Sequence, residues 1–584
     1  MDVLKKLNYI FDRKQKWETV GLLVLIVIGT VFELLGVSTI QPLINALMDR
    51  DRLLERGGIY VFIYDTFHLQ NTTQLILFLM GLLIVVYVVK NLYLIFMYQQ
   101  QYRYIYSNMR SLSTKMMHSY LSRPYSYFIE KSSAELLRNI NQDTADFFGV
   151  IQAAVQLTTE GLVVCALIVY LFIKDKSITM AVGLLLGLLI LIFQKVYKKK
   201  LLKRGEKNRQ YEAEVNKWIQ QAFGGIKEVK VMNREDFFFR EYDRAYAGRV
   251  HSEYSYHTMI AIPKPIIEAC AMGAMLGVAF IKVAVGVNLN HFIPTLSIFV
   301  VAAYRLLPSF NRITEYMGTI AYQMPAVTAI YEHLKEIEAD EKECPAQTSE
   351  ESGKLPIQSG IHVKDLSFRY PNADRLVLEH LNIEIPVNTS VAFIGQSGAG
   401  KTTLADLILG VLQPTGGAIY ADQCDIAGDL GGWHRTIGYV PQNIYLLDDT
   451  IEANIAFGIP KDQVDRQKIQ KAIDGAQLRA TIDALPEGVE TVVGERGIRF
   501  SGGQRQRIGI ARALYAEPEV LVLDEATSAL DNETEAAVME SIDALHGKMT
   551  LIIIAHRLST IQNCDVVYEI ADGKAIQGKV ERSV

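Results

Sequence analysis

The sequence predicts two architectures in one chain: an all-α polytopic membrane domain of six long helices, followed by an α/β domain built on a phosphate-binding loop. Three observations carry this reading. Six apolar segments fall within residues 1–325, and most approach or exceed the ~20 residues that cross a bilayer core. From Ile361 onward short β-rich runs alternate with helical ones, the pattern of an α/β sheet. One such run, Ser390–Ile394, is separated from a helix expected over Leu404–Leu412 by Gly395-Gln-Ser-Gly-Ala-Gly-Lys-Thr-Thr403.

Composition agrees with the membrane half: 50% of the 584 residues are hydrophobic and 21% charged. The net charge of −5 is mild and gives no reason to expect nucleic acid as a partner. The five cysteines (Cys165, Cys270, Cys344, Cys424, Cys564) have no paired spacing, so neither a disulfide framework nor a zinc site is expected. Met1–Lys16 is basic, but no short apolar core with a small-residue cleavage site follows it, so no cleaved signal peptide is expected.

The six segments are roughly Thr19–Met48, Leu75–Tyr98, Phe147–Ile173, Ile178–Tyr197, Ile266–Val287 and Phe292–Leu307, the last continuing as a helix toward Tyr322. Lys and Arg set their orientation: fourteen lie in Lys198–Tyr256 and six in Gln99–Asp146, against none in Asn288–His291 and two in Lys174–Ser177. The excess places the N-terminus and the two long connections in the cytoplasm. Those connections are helix-compatible, so spans two to five should run well past the bilayer. Asp51–Gln70, on the outside, mixes apolar residues with charge and has the composition of a short interfacial helix. Ser122–Leu137 and Gly224–Asp236 break the long helical pattern with Pro, Gly or Ser and then resume it, so each can hold a short crosswise helix.

Residues 326–360 form the expected linker; within it, Ile337–Gly360 is rich in Glu, Ser, Pro and Gln and has little apolar period. The second domain occupies 361–584. Its glycine-rich turn, Gly395, Gln396, Ser397, Gly398, Ala399 and Gly400, can aim backbone N–H groups at phosphates before a helix N-terminus. Lys401 can then reach the β- and γ-phosphates, and the hydroxyl of Thr402, beside Thr403, can ligate Mg²⁺. Val520–Asp524 reads as a buried parallel strand delivering Asp524 at its C-terminal edge, where an acid holds Mg²⁺. Glu525 follows as the candidate to polarise the attacking water. Met549–Ala555 reads as another buried strand, ending at His556.

Ser501-Gly-Gly-Gln504 opening the helix Arg505–Ala516, with Asp524-Glu525 beyond it, resembles the ABC-transporter ATPases in order and spacing. The resemblance covers about Ile361–Lys579, and the six-span order before it resembles the exporter type. It implies ATP and Mg²⁺ as cofactors. By it, Tyr370 is the adenine-stacking aromatic and Gln442 the glutamine joining Mg²⁺ to the membrane domain. Thr491–Gly497 resembles the segment contacting the cytoplasmic helices, Ser528-Ala-Leu-Asp531 the subunit-crossing loop, and His556 the switch histidine. The catalytic set would be Glu525, His556 and Gln442, with Mg²⁺ at Thr402, Gln442 and Asp524. Phe500 stands where the family usually has Leu, a change expected to affect packing. One phosphate loop and one signature imply a half-transporter working as a homodimer, Ser501, Gly502, Gly503, Gln504 and Asp531 reaching ATP across the two-fold.

Ionisable residues inside spans are costly and mark function by default. Lys90 lies about 25 Å from the outer end of span two, Arg305 about 20 Å along span six, and Arg312 two turns further. The three suit a phosphate or diphosphate taken from the inner leaflet; snorkelling or an ion pair such as Lys264 with Glu268 is the plainer alternative. Glu33 and Glu268 are further intramembrane acids. Ala303–Ile313 and Tyr439–Asp449 resemble bacterial lipid-linked-oligosaccharide flippases, which implies an undecaprenyl-diphosphate-linked glycan as cargo in a bacterial cytoplasmic membrane. In span two this chain has lysine, which keeps charge but loses the guanidinium fork. A general lipid or multidrug exporter is the alternative. A peptide exporter is disfavoured because no cysteine-protease domain precedes span one. A soluble ATPase sharing these motifs would lack the spans, and a channel or receptor regulated by ATP would not need Glu525 and His556.

Overall fold

The computed structural model describes residues 2–40, 42–44, 66, 72–174, 176–284, 289–343, 353–371, 373–494, 497–525, 532–555 and 561–578. The chain forms two compact units. Met1–Arg123 and Lys131–Glu343 make the first, and Pro124–Glu130 with Cys344–Val584 the second.

The first unit is helical. In chain order come α1 (Asp2–Ile10), α2 (Arg13–Ser38) and α3 (Thr72–Leu121), then α4 (Tyr125–Glu130), which belongs to the second unit. They are followed by α5 (Ser133–Arg138), a π turn at Asn139–Asp143, α6 (Thr144–Lys174), α7 (Lys176–Gly224), α8 (Ile226–Val231), α9 (Glu235–Ala261), α10 (Pro263–Ala284) and α11 (Leu289–Glu343). Among the described residues, Arg13–Ile44, Thr73–Leu121 and Ser133–Lys174 are long and apolar enough to cross a membrane. The apolar segments Ile178–Tyr197, Ile266–Val287 and Phe292–Leu307 fall on α7, α10 and α11, and of the three Ile266–Val287 runs past the described residues, at 285–287. Asp51–Gln70 lies outside it too, apart from Thr66.

α3, α7 and α11 hold 50, 49 and 55 residues, so each is far longer than the bilayer core requires. In α7 the reason is visible in the residues: an apolar run through Phe193 passes into Lys198-Lys-Lys200 and a polar helical half with no proline, in which a single interior glycine, Gly205, is tolerated. The breaks fall at the two predicted bends. Pro124, which cannot donate a ladder N–H, precedes α4, and Gly224-Gly225 precedes α8, which Asn233 closes in the left-handed region (φ +50°). Val37, Val163, Leu167, Leu186, Ile267 and Leu306 bury one core between α2, α6, α7, α10 and α11. Leu77, Ile84, Val88, Leu92 and Ile95 on α3 stay exposed, as lipid-facing side chains do.

One expectation is corrected here. Residues 326–343 of the expected linker 326–360 are the end of α11, because Val327, Ile330, Leu334 and Ile337 repeat at helical spacing and are buried.

In the second unit an antiparallel sheet of order β2-β1-β4-β5 joins β1 (Gly360–Phe368), β2 (Leu378–Pro386), β4 (Gly416–Ala421) and β5 (Cys424–Asp425). The main sheet has the order β10-β9-β3-β8-β7-β6. Its strands are β3 (Ser390–Ile394), β6 (Ile437–Val440), β7 (Val520–Asp524), β8 (Thr550–Ile554), β9 (Val566–Ala571) and β10 (Lys574–Gly578). All but β10 pair in parallel. β7 and β8 are buried throughout, and alternate residues enter different cores. Val520, Val522, Ile552 and Ile554 join Phe393 and Trp433 on one face, while Leu521, Leu523, Leu551 and Ile553 join Ile473 and Ile510 on the other. That two-sided burial is why these strands read as unbroken apolar runs.

The helices of this unit are α12 (Lys401–Ile408), α13 (Leu430–Thr436), α14 (Ile451–Ile455), α15 (Arg466–Gly475), α16 (Arg479–Asp483), α17 (Gly502–Tyr515) and α18 (Asn532–Asp543). Two differ from expectation. α12 starts three residues earlier than Leu404 because left-handed Gly400 (φ +98°) caps it, and it stops at Ile408, ahead of Gly410 (φ +73°). α17 opens at Gly502 and not Arg505, because Ser501 caps it.

Candidate functional site

Three parallel strands end at one level: Phe393 of β3 and Asp524 of β7 are both in register with Ile554 of β8. The glycine-rich turn leaves β3 there and enters α12. Gly395 has φ +145°, and a Cβ on it would stand 2.2 Å from the Ile570 carbonyl oxygen, so only glycine fits this close pass. Lys401 is 5% exposed, and its Nζ donates to the carbonyls of Gly395 and Gln396, each at 3.0 Å, arching over the turn. Burial lowers the Lys401 pKa, and the nearby Glu525 and Asp524 oppose that shift.

Gln396, Ser397 and Gly398 are exposed and Ala399 half-buried, leaving the outer side of the turn open. Thr402 is exposed, whereas Thr403 is buried and its hydroxyl lies 3.1 Å from the Tyr370 hydroxyl. Tyr370 meets Phe368 edge to face at 4.9 Å, so the strand fixes the ring from behind. Asp524 is 4% exposed at the end of β7. Glu525 follows in the left-handed region (φ +48°), its N–H donating to the Ile554 carbonyl at 3.1 Å. Exposed Gln442 donates Nε2–H to Glu525 Oε2 at 2.5 Å. Asp406 on α12, which sequence reasoning missed, has its pKa pushed up to about 6, first by burial and then by Asp524.

The donor set fits Mg²⁺ and nucleotide. A hydroxyl (Thr402), an amide oxygen (Gln442) and a carboxylate (Asp524) are the hard oxygen types that ion takes, and a lysine at a helix N-terminus is the kind of group that suits phosphate. Ser501 accepts from the Gln504 N–H at 3.3 Å while Gln504 Oε1 accepts from the Ser501 N–H at 2.8 Å, a reciprocal cap that leaves Gly502 and Gly503 as the first turn of α17. Phe500 is 8% exposed within the core, the packing role expected of it. His556, Asp531 and Ser528 lie outside the described residues.

In the first unit the three intramembrane cations are paired. Lys90 Nζ sits 3.2 Å from Glu33 Oε2, and Arg305 grips both Glu33 oxygens, Nη2 to Oε1 at 2.9 Å and Nε to Oε2 at 3.2 Å. Arg312 Nε lies 2.7 Å from Glu160 Oε1, a charge contact whose N–H direction falls short of a hydrogen bond. Glu268 meets Asn311 at 3.4 Å, the partner in place of the anticipated Lys264. Glu160 was missed by sequence reasoning, although an acid in the middle of the apolar segment Phe147–Ile173 is itself the signal.

The fold and the phosphate loop define an ATPase joined to a helical membrane domain. Residues 378–528 match the ABC transporter family and residues 20–302 the ABC transporter transmembrane region. The ATP-dependent lipid A-core flippase of Cupriavidus metallidurans is 30% identical over 480 residues, covering 79% of this chain and 77% of that protein. The Vibrio vulnificus protein of the same name is 30% identical over 462 residues, covering 78% and 77%. A solved bacterial Atm1-family ABC exporter with ATP bound shares the fold with TM-score 0.77 at 22% identity, covering 97% of this chain and 96% of that one. This chain belongs to the ABC transporters. It is an exporter-type half-transporter, a multi-pass membrane protein in which ATP hydrolysis drives transport.

Proposed function

We propose that the chain works as a homodimeric flippase that moves an amphipathic, lipid-linked anionic substrate outward across a bacterial cytoplasmic membrane. The favoured cargo is an undecaprenyl-diphosphate-linked oligosaccharide. The observation that carries this is the meeting of Lys90 and Arg305 on one carboxylate, Glu33, inside the membrane unit, with Arg312 on Glu160 two turns further along α11. Cations held in an apolar domain suit a phosphate-bearing head group. The relatives named lipid A-core flippases support lipid cargo in general. They also favour a second reading, export of another anionic lipid with the same residues.

In this reading six spans lie within residues 1–325, the stretch 344–360 beyond α11 connects the domains, and 361–584 bind nucleotide. Tyr370 stacks on adenine, and Gly395–Gly400 with Lys401 and Thr403 hold the phosphates. Thr402, Gln442 and Asp524 would hold Mg²⁺, which would supply neutralisation of charge on the phosphate oxygens. Glu525 orients and polarises the attacking water, with His556 beside the γ-phosphate. Ser501, Gly502, Gly503, Gln504 and Asp531 complete the site of a second copy, because the N-terminus of α17 favours an anion. ATP thereby joins the two ATPase domains, and its hydrolysis parts them. The helices α4 and α8 carry that motion to the spans.

The test is the ATPase rate of the transporter in lipid vesicles with and without a diphosphate-linked lipid glycan, wild type beside Arg305→Ala. The expected result is stimulation by the glycan lipid that Arg305→Ala abolishes. Stimulation by apolar drugs alone sinks the lipid-linked cargo.

A further inference from the structure

Three helices meet at a single carboxylate. Glu33 comes from α2, Lys90 from α3 and Arg305 from α11. The side chain of Glu33 is 7% exposed, that of Lys90 11% and that of Arg305 24%, so the clasp is largely shut away. The path to it is built. Gly36, one turn beyond Glu33, lies where a Cβ would stand 3.3 Å from Lys90 Cδ and 3.6 Å from its Nζ, so glycine makes the groove through which the lysine reaches across α2. The Tyr87 ring lies 4.8 Å from the same Nζ and adds a cation–π contact.

Two cations and one carboxylate leave the cluster with one positive charge in excess. An acid is the cheapest way to keep two cations in an apolar domain. It is also an anion tethered at high effective concentration against the very groups an anionic ligand would use. Arg305 spends Nε and Nη2, the side-on edge of its guanidinium, on Glu33. A phosphate seeking that edge has to take it from the carboxylate.

We infer that Glu33 is a built-in competitor for the cargo's anionic group. It occupies Lys90 and Arg305 when the site is empty, yields them to a phosphate or diphosphate, and on returning expels that group. This rests on the reading of Lys90 and Arg305 as the anion-binding pair, and it adds a positioning residue that sets release. Removal of the competitor makes anions bind tighter and leave more slowly, in proportion to their charge. A carboxylate that only braced the helices would have the opposite effect, since its loss would loosen the site.

The experiment measures binding of farnesyl diphosphate, farnesyl monophosphate and farnesol to the full chain in nanodiscs, together with diphosphate-stimulated ATPase. Glu33→Gln is expected to tighten farnesyl diphosphate about tenfold, the monophosphate less and farnesol not at all. The stimulated ATPase is expected to show a lower half-saturating concentration together with a lower maximal rate. Glu33→Asp, which keeps the charge, should restore wild-type behaviour. The charge-balanced pair Glu33→Gln/Lys90→Met guards against misfolding: it keeps the same excess charge without the competitor, and should still bind diphosphate severalfold tighter than wild type. Unchanged or weaker diphosphate binding in Glu33→Gln, or in the pair where the single variant does not fold, overturns the inference. Tighter, charge-graded binding with no stimulation of ATPase by any diphosphate lipid would uphold Glu33 as competitor and remove the diphosphate cargo.

Discussion

Gln442 and Glu525, 83 residues apart in the chain, are joined by a hydrogen bond of 2.5 Å from the amide Nε2 to the carboxylate Oε2. The bond places the side chain of the proposed water-polarising acid beside the loop that follows β6. Glu525 is also held from behind, since its N–H is committed to the strand carbonyl of Ile554. A base fixed at both ends keeps its aim without rearranging during reaction.

Glu525→Gln should therefore bind ATP and hydrolyse it about 10²–10⁴-fold more slowly, the usual worth of a positioned base. Phosphate release and retained nucleotide, measured together on the purified transporter, check this. Turnover at the wild-type rate rules out Glu525 as the base.

Tyr370 offers a graded test. Tyr370→Phe loses only the bond to the Thr403 hydroxyl, worth about 1 kcal/mol net, so the KM for ATP should rise a fewfold. Tyr370→Ala also loses a base-stacking surface worth about 1–3 kcal/mol and should raise KM about tenfold or more. Equal KM values in the two variants would mean that the ring does not touch the base.

Asp406 predicts a pH signature. Its folded-state pKa of about 6 stands above the ordinary 3.8, so the folded protein holds an extra proton between those values. The sign follows from linkage: stability contributed by this group is full below about pH 4 and is lost as pH rises through 6. Asp406→Asn should raise the unfolding temperature of the full chain at pH 7.5 relative to wild type, and the gain should shrink at pH 5. A pH-independent difference would contradict the buried-acid account.

Phe393→Ala opens a cavity where β3 leads into the phosphate loop, at a side chain with 0% exposure. Such truncations cost about 3–5 kcal/mol. Thermal unfolding should show the loss, and saturating ATP should recover part of it, because a ligand that binds only the folded state adds stability.

The parts of this molecule legible in the sequence are those whose chemistry is local. Gly395–Thr403 sits within one strand-turn-helix unit, Asp524-Glu525 at the end of one strand and Ser501–Gln504 at the start of one helix, so spacing along the chain is also spacing in space. Lys90 and Arg305 were legible as misplaced charges. Their shared carboxylate was not, because α2, α3 and α11 meet only through the fold, and local spacing pointed instead to Lys264 beside Glu268. Asp406 was hidden for a similar reason: its neighbour Asp524 lies on another element. The continuation of α11 through Ile337–Glu343 was masked by acidic residues that read as linker, although Ile330, Leu334 and Ile337 repeat at helical spacing.

The uninterrupted length of α3 sets a gearing ratio. Fifty residues make a rod of about 75 Å, of which the hydrocarbon layer can hold about 30 Å, leaving about 45 Å as an overhanging arm. A tilt of about 10° within the bilayer would sweep the tip of such an arm sideways by about 8 Å, more than one helical pitch. A helix with no proline or break along it loses little of that stroke to bending, so a modest rotation at one end becomes a large displacement at the other.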